Sequence, residues 1–202
     1  MSSLRQFMRE APIASAVAHC ELCGAEIPVH GHRHLLELEV RQVRCVCDPC
    51  ALRFEDVIGG KYKLIPRDVR PLPNFQMTDA QWDNLAIPIN LAFFFYSSSV
   101  DRIVAMYPSP AGATESLLTL DTWESLIADN PALAKIETDT EALLVNRVGE
   151  AREYYLAPMD ICYHLVGLIR VHWRGLSGGE EVWKEIDAFF AAFRPKSAFS
   201  DP

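Results

Sequence analysis

Two matched pairs of cysteines constrain this chain more than any other feature in it. Cys20-x2-Cys23 is followed, after 23 residues, by Cys47-x2-Cys50. Two cysteines separated by two residues turn both sulfurs towards one ion, because the backbone between them folds into a tight knuckle. Gly24, directly after the first pair, suits that turn. Two knuckles supply four thiolates, which make a closed tetrahedral site for zinc and equally for a single iron. The interval between the pairs is longer than the common zinc spacing of roughly 15 to 20 residues, and a hairpin between the knuckles would absorb the excess. The expected ligands are Cys20, Cys23, Cys47 and Cys50, with zinc as the metal and iron as the alternative.

The surroundings of these pairs leave two questions open. Cys45-x-Cys47-x2-Cys50 offers three thiols where two are needed. In a strand, residues 45 and 47 share a face, so Cys45 either replaces Cys47, adds reactivity beside the site, or is a small buried residue supporting the knuckle. His30, His32 and His34 alternate in the same way, and His19 adjoins Cys20. A strand would project the three imidazoles together, as a second metal site, a pH-sensitive patch or a solvated hairpin tip. The last is the simpler expectation, since no carboxylate completes the set except Glu26.

Neither group reads as catalytic. A catalytic zinc keeps an open coordination position, and four thiolates leave none. Elsewhere, Asp160 and His164 stand four residues apart on an expected helix and would make an oriented acid and imidazole pair. Cys162 lies two residues, about 200 degrees around that helix, from either, which does not support a Cys-His dyad. Gly178 and Gly179 precede a helix without the lysine and hydroxyl residue of a phosphate-binding loop. No nucleophile elbow, zinc-protease motif or dinucleotide fingerprint is present. The expectation is a non-enzymatic protein with no catalytic and no cofactor-binding residues beyond the metal ligands.

The formal net charge of -8 disfavours a nucleic-acid partner, because a phosphate backbone would be repelled by most of such a surface. Residues 1–12 lack the apolar middle of a secretory signal, and Leu91 to Tyr96 is far shorter than the ~20 residues needed to span a bilayer. A cytoplasmic location is expected, where clustered cysteines bind metal or do redox chemistry rather than form structural disulfides.

Five of the six cysteines and four of the six histidines fall between His19 and Cys50. That density defines a module over residues 1–65, with an N-terminal arm or short helix through Leu4, Phe7 and Met8. Leu36, Leu38 and Val40 alternate with Glu37, Glu39 and Arg41 as a half-buried strand does. Ala51 to Val57 reads as a helical turn and Tyr62 to Ile65 as a short strand. Pro66, Pro71 and Pro73 mark a stiff linker over 66–74.

Residues 75–195 read as an α+β domain in which an antiparallel sheet packs with helices. Thr78 and Gln81 form a capping box. Ile89 to Tyr96 and Arg102 to Tyr107 form a hairpin, followed by a turn over Pro108 to Ala113 and a third strand over Ser116 to Thr119. Asp121 and Glu124 start a helix that Asn130 and Pro131 stop. Glu141 to Val148 and Glu153 to Leu156 form a second hairpin. Two helices close the chain, one from Pro158 to Gly175, the other capped by Ser177 and striped with Val182, Trp183, Ile186, Phe189, Phe190 and Phe193. Residues 196–202 read as a frayed tail.

Two stretches resemble a bacterial family of uncharacterised proteins whose genes lie near those of uptake NiFe-hydrogenases. They are Cys20-Glu21-Leu22-Cys23-Gly24 with Cys45-Val46-Cys47-Asp48-Pro49-Cys50, and Tyr155 to Asp160 running on to His172-Trp173-Arg174-Gly175, Ser177-Gly178-Gly179 and Trp183. The resemblance implies an accessory role in hydrogenase assembly, maturation or electron supply, with a hydrogenase subunit or maturation factor as protein partner. The module is accordingly read as zinc-ribbon-like or rubredoxin-like. A metal-stabilised interaction protein is the expected function, a one-iron electron carrier the alternative, and an enzyme using Asp160 and His164 a remote third.

Overall fold

The computed structural model describes residues 17–54, 60–116, 120–175 and 178–194, with side chains of the helix at 120–129 described from Trp123 onward. The expected N-terminal arm, Ser177, the end of the third strand after Ser116 and the tail lie outside the described residues, and the side chain of Asp121 is not described. The chain divides into two compact units, one of Met1–Glu37 with Arg41–Leu64, the other of Leu38–Val40 with Ile65–Pro202.

In the first unit, β1 (Ala18–His19) pairs with β2 (Glu26–Ile27) around the first cysteine pair. β3 (Arg33–Glu37) lies between β4 (Gln42–Val46) and β5 (Tyr62–Leu64), all antiparallel, and α1 (Asp48–Phe54) follows β4. The strand expected over Leu36 to Arg41 is corrected. The chain turns at 38–41, with Arg41 in the left-handed region at φ 50°. Leu35 and Leu36 are both buried, so the run of alternating Leu and Glu straddles a strand end and a turn. The helix also begins three residues earlier than expected and so contains Cys50. Pro49 fits its first turn, where a missing N–H costs nothing.

The second unit is built on one six-stranded antiparallel sheet in the order β6-β11-β10-β7-β8-β9, comprising β6 (Arg70–Pro71), β7 (Leu91–Ser97), β8 (Arg102–Ser109), β9 (Gly112–Ser116), β10 (Glu141–Asn146) and β11 (Glu153–Pro158). Its helices are α2 (Asp79–Asn84), α3 (Leu120–Asp129), a 3-10 turn at Pro131–Lys135, α4 (Met159–His172) and α5 (Gly179–Ala191). Both hairpins stand where the sequence places them. The third strand starts earlier, at Gly112, because Pro110 and Ala111 alone make the turn. Among the described residues no helix is long and apolar enough to cross a membrane.

Both faces of this sheet are covered, which explains why β7 reads Leu-Ala-Phe-Phe-Phe with no polar alternation. Successive side chains point to opposite faces. Phe94 stacks on Trp123 of α3, with ring centroids 5.7 Å apart, whereas Phe93 meets Tyr163 of α4 edge-on at 6.1 Å. Trp82, Leu126, Leu143 and Leu156 complete the first face. On the other, α5 reaches the sheet through Phe190, which stacks on Tyr155. The capping box of α2 is present, with Thr78 and Gln81 bonded reciprocally.

The proline-rich segment 66–74 is not free along its length. Arg70 and Pro71 pair with Leu156 and Tyr155, and the Leu72 N–H donates to the Tyr154 carbonyl at 2.8 Å. Pro71 is tolerated because β6 is an edge strand. α5 takes Gly178 as its N-cap, at φ +88°, where a Cβ would come within 2.8 Å of Val182 Cγ1. Glycine at this position is therefore required by both backbone and space.

Candidate metal centre

The first cysteine pair sits on the turn that joins β1 to β2. The Gly24 N–H donates to the Cys20 carbonyl at 2.8 Å and the Cys20 N–H to the Ala25 carbonyl at 2.7 Å, while Gly24 takes φ +74°. This is the knuckle expected from the spacing. It is tied directly to β4: the Glu21 N–H donates to the Cys45 carbonyl, and the Cys45 N–H returns to the Glu21 carboxylate, both at 2.9 Å. That exchange brings the end of β4, and so Cys47, to the knuckle.

The second pair is held differently from the first. Cys47 stands between β4 and α1, its carbonyl accepting the Ala51 N–H at 2.9 Å, and Cys50 lies in the first turn of α1. A knuckle and a helix start therefore face each other, in place of the two knuckles expected. The ligand atoms of Cys20, Cys23, Cys47 and Cys50 all lie within 4.8 Å of one another, a set that could hold a metal ion. The Sγ atoms of Cys23 and Cys47 are 3.6 Å apart. Two sulfurs bound at ~2.3 Å to one tetrahedral ion would stand about 3.8 Å apart, so the arrangement fits an ion of this size.

The backbone around the sulfurs favours negative charge. Burial alone would raise the Cys20 thiol, but backbone groups of Cys47, Leu22 and Cys23 donating to its sulfur outweigh burial and bring it down to about 6. Burial and the neighbouring cysteines push Cys50 up to about 12, and Cys23 is raised as well. Without metal, one thiolate forms easily and discourages the next. An ion must then displace protons from Cys23 and Cys50. Each displaced proton makes affinity tenfold weaker per pH unit of acidification, so these two thiols alone predict a fall of about 100-fold per unit between pH 8 and 7. A competitive metal indicator titrated across that interval measures the slope.

Acid acts on the frame of this unit in the same sense. The buried Glu37 carboxylate bonds Lys61 and Arg44, at 2.6 and 2.7 Å, and these partners hold it below the ordinary carboxylate range. Its depressed value means that its stabilising effect is present above the unfolded value of about 4.3 and is lost as pH falls through the folded one.

Cys45 is grouped apart from the four-cysteine set, with His32 and His34. It is only partly buried, yet it packs against the cluster that contains Cys20 and so supports the knuckle, and it groups with His34, its partner across the strands, and His32 rather than replacing Cys47. His30, expected on the same face, is exposed and stands outside that group, because the chain bends at 29–31 around Gly31 at φ +76°.

In the second unit, Asp160 accepts the Ile161 N–H at 2.9 Å, while His164 is exposed and meets Phe189 edge-on. Neither lines the cavity of about 510 Å³ beside β6 and β11, where Glu153 is engaged by Arg194 and Asn146. Cys162 is fully buried and its thiol is pushed far up by that burial, so it is an inert core residue.

A family described as a family of unknown function (DUF5947) matches residues 19–197. No curated protein and no solved structure matches the chain.

Proposed function

The chain belongs to DUF5947, a family of unknown function, and from that premise we propose that it is a metal-binding, non-enzymatic accessory protein whose first unit is fixed by one zinc ion and docks on a protein partner. One observation carries this reading: four cysteine ligand atoms within 4.8 Å of one another, drawn from two separate chain segments. Four thiolates close the coordination sphere of zinc, so such an ion shapes the unit without offering a position for chemistry. The hydrogenase component of the reading rests on the resemblance of the cysteine segments and of the Tyr155 to Trp183 stretch, and makes a hydrogenase subunit or maturation factor the partner.

One feature favours a second reading. Cys23 is exposed, and an iron held by these sulfurs would have a short path for an electron to a docked acceptor. Metal analysis and the visible spectrum of protein purified from its native host separate the two. A colourless zinc protein recovered in a stable complex with hydrogenase components is the expected result. A coloured iron protein that bleaches reversibly on reduction and passes electrons to a partner would establish the carrier instead.

A further inference from the structure

We propose that His32, His34 and Cys45 form a second metal site, separate from the four-cysteine centre, which takes a borderline-soft divalent transition-metal ion through two imidazole nitrogens and one thiolate. The backbone register assembles it. His34 is paired directly with Cys45 across β3 and β4, so their side chains leave the same face. His32 lies just before β3, and its ring reaches the same place, with Nε2 3.0 Å from His34 Nε2. The three ligand atoms lie within 4.8 Å of one another, and all three residues are partly exposed, so an ion reaches them without unfolding the unit.

The protonation pattern already suits an ion. The Pro28 carbonyl lies 2.9 Å from His32 Nδ1. A carbonyl only accepts, so Nδ1 carries the proton and Nε2 presents its lone pair. A backbone carbonyl on the far nitrogen is the usual device that fixes the tautomer and orientation of a metal-bound histidine. His32 Nε2 faces His34 Nε2 at 3.0 Å, and the rings are nearly perpendicular, at 87°. In the metal-free protein His34 Nε2–H donates to that lone pair. An ion entering the trio takes the Nε2 lone pair of each ring; the His34 proton passes through solvent to Nδ1, so that both imidazoles stay neutral, and the Cys45 thiol gives its proton to solvent as it ligates. Two nitrogens at 2.0 to 2.1 Å from a tetrahedral ion are about 3.3 Å apart, a few tenths of an ångström wider than the pair stands now.

Donor chemistry sets the class of ion. Two imidazoles and a thiolate suit zinc, nickel, cobalt or copper, and contain none of the oxygen donors that magnesium and calcium require. Three protein ligands leave a tetrahedral ion one open position, unlike the closed four-cysteine set. The second ion is therefore the more exchangeable of the two.

Cobalt(II) titration of the stripped full-length protein tests the site, because the intensity of sulfur-to-cobalt absorption follows the number of thiolates bound. The expected result is two equivalents per chain, the first with a four-thiolate spectrum and the second adding a much weaker one-thiolate contribution that a chelator removes first. Cys45→Ser and His32→Gln are each expected to weaken the second equivalent at least tenfold while the four-thiolate spectrum is unchanged. That spectrum also reports that the variant unit has folded, and His32 lies outside the strand, so its substitution spares β3. Saturation of the wild-type protein at one equivalent, or a second equivalent bound equally well by Cys45→Ser and His32→Gln, would overturn the proposal.

Discussion

Stripping the metal from the full-length protein should unfold the first unit and leave the second intact. Among the described residues, the core cluster of the first unit is small: Ile27, Leu35 and Val46 are its large buried aliphatics, joined by Ala51 and by Cys20, which is itself one of the four clustered cysteines. Units of this size seldom bury enough surface to offset chain entropy without a metal or disulfides, and none of its cysteines is joined in a disulfide. Structural zinc supplies roughly 10 to 16 kcal/mol in comparable small modules. Loss of that term exceeds any single packing change in the chain. A Cys20→Ser/Cys50→Ser variant should behave like the stripped protein. Amide hydrogen exchange resolves the outcome by segment: amides of β3 and β4 should lose protection on chelation while those of β7 and β10 keep theirs. Retained protection in β3 and β4 without metal would show that the sulfur cluster is not what holds the unit.

The interior of the first unit was only partly legible in the sequence, for a physical reason. Cysteine spacing is a local property, so the knuckle at Cys20 and Cys23 follows from four residues and a glycine. A helix start inside a ligand pair looks no different: Asp48-Pro49 opens α1 as readily as it would form a second knuckle. The hairpin register is not local. The alternation Leu36-Glu37-Leu38-Glu39-Val40 has the period of a strand, yet burial of Leu35 in the core and the turn at 38–41 place it across a strand end. That misplacement concealed the pairing of His34 with Cys45, and with it the grouping of two histidines and a thiol. A hairpin centred on Leu38–Arg41 would have revealed it.

The second unit was more legible because its signals are redundant. Both hairpins are bounded by turn residues, and the capping box at Thr78 agrees with the apolar spacing of Trp82 and Leu85. What resisted was the edge. Arg70-Pro71 carries no strand periodicity, and a proline argues against pairing unless the strand lies at a sheet margin, which only the assembled sheet reveals.

Phe94→Ala should cost the second unit about 3 to 5 kcal/mol, among the largest losses expected from a single truncation in the sheet. Phe94 is fully buried at the middle of β7, opposite Ala105 on one side and Leu143 on the other. Its ring stacks on Trp123, so the truncation removes both transfer energy and an aromatic contact. The neighbours opposite are held by strand pairing on both sides, and helix α3 is held by its own buried Leu126, so the cavity cannot close by a simple collapse. Phe93→Ala should cost a similar amount through the other face, where α4 and Tyr163 cover it. The two losses act on opposite layers of one cooperative unit and should add to within a few tenths of a kcal/mol only if the sheet stays rigid. Calorimetry of the metal-loaded protein reads the shift, roughly 10 °C for either single variant, in the transition that a chelator leaves unaltered. A shift confined to the chelator-sensitive transition would place Phe94 in the other unit's core and refute the two-faced sheet as the source of this unit's stability.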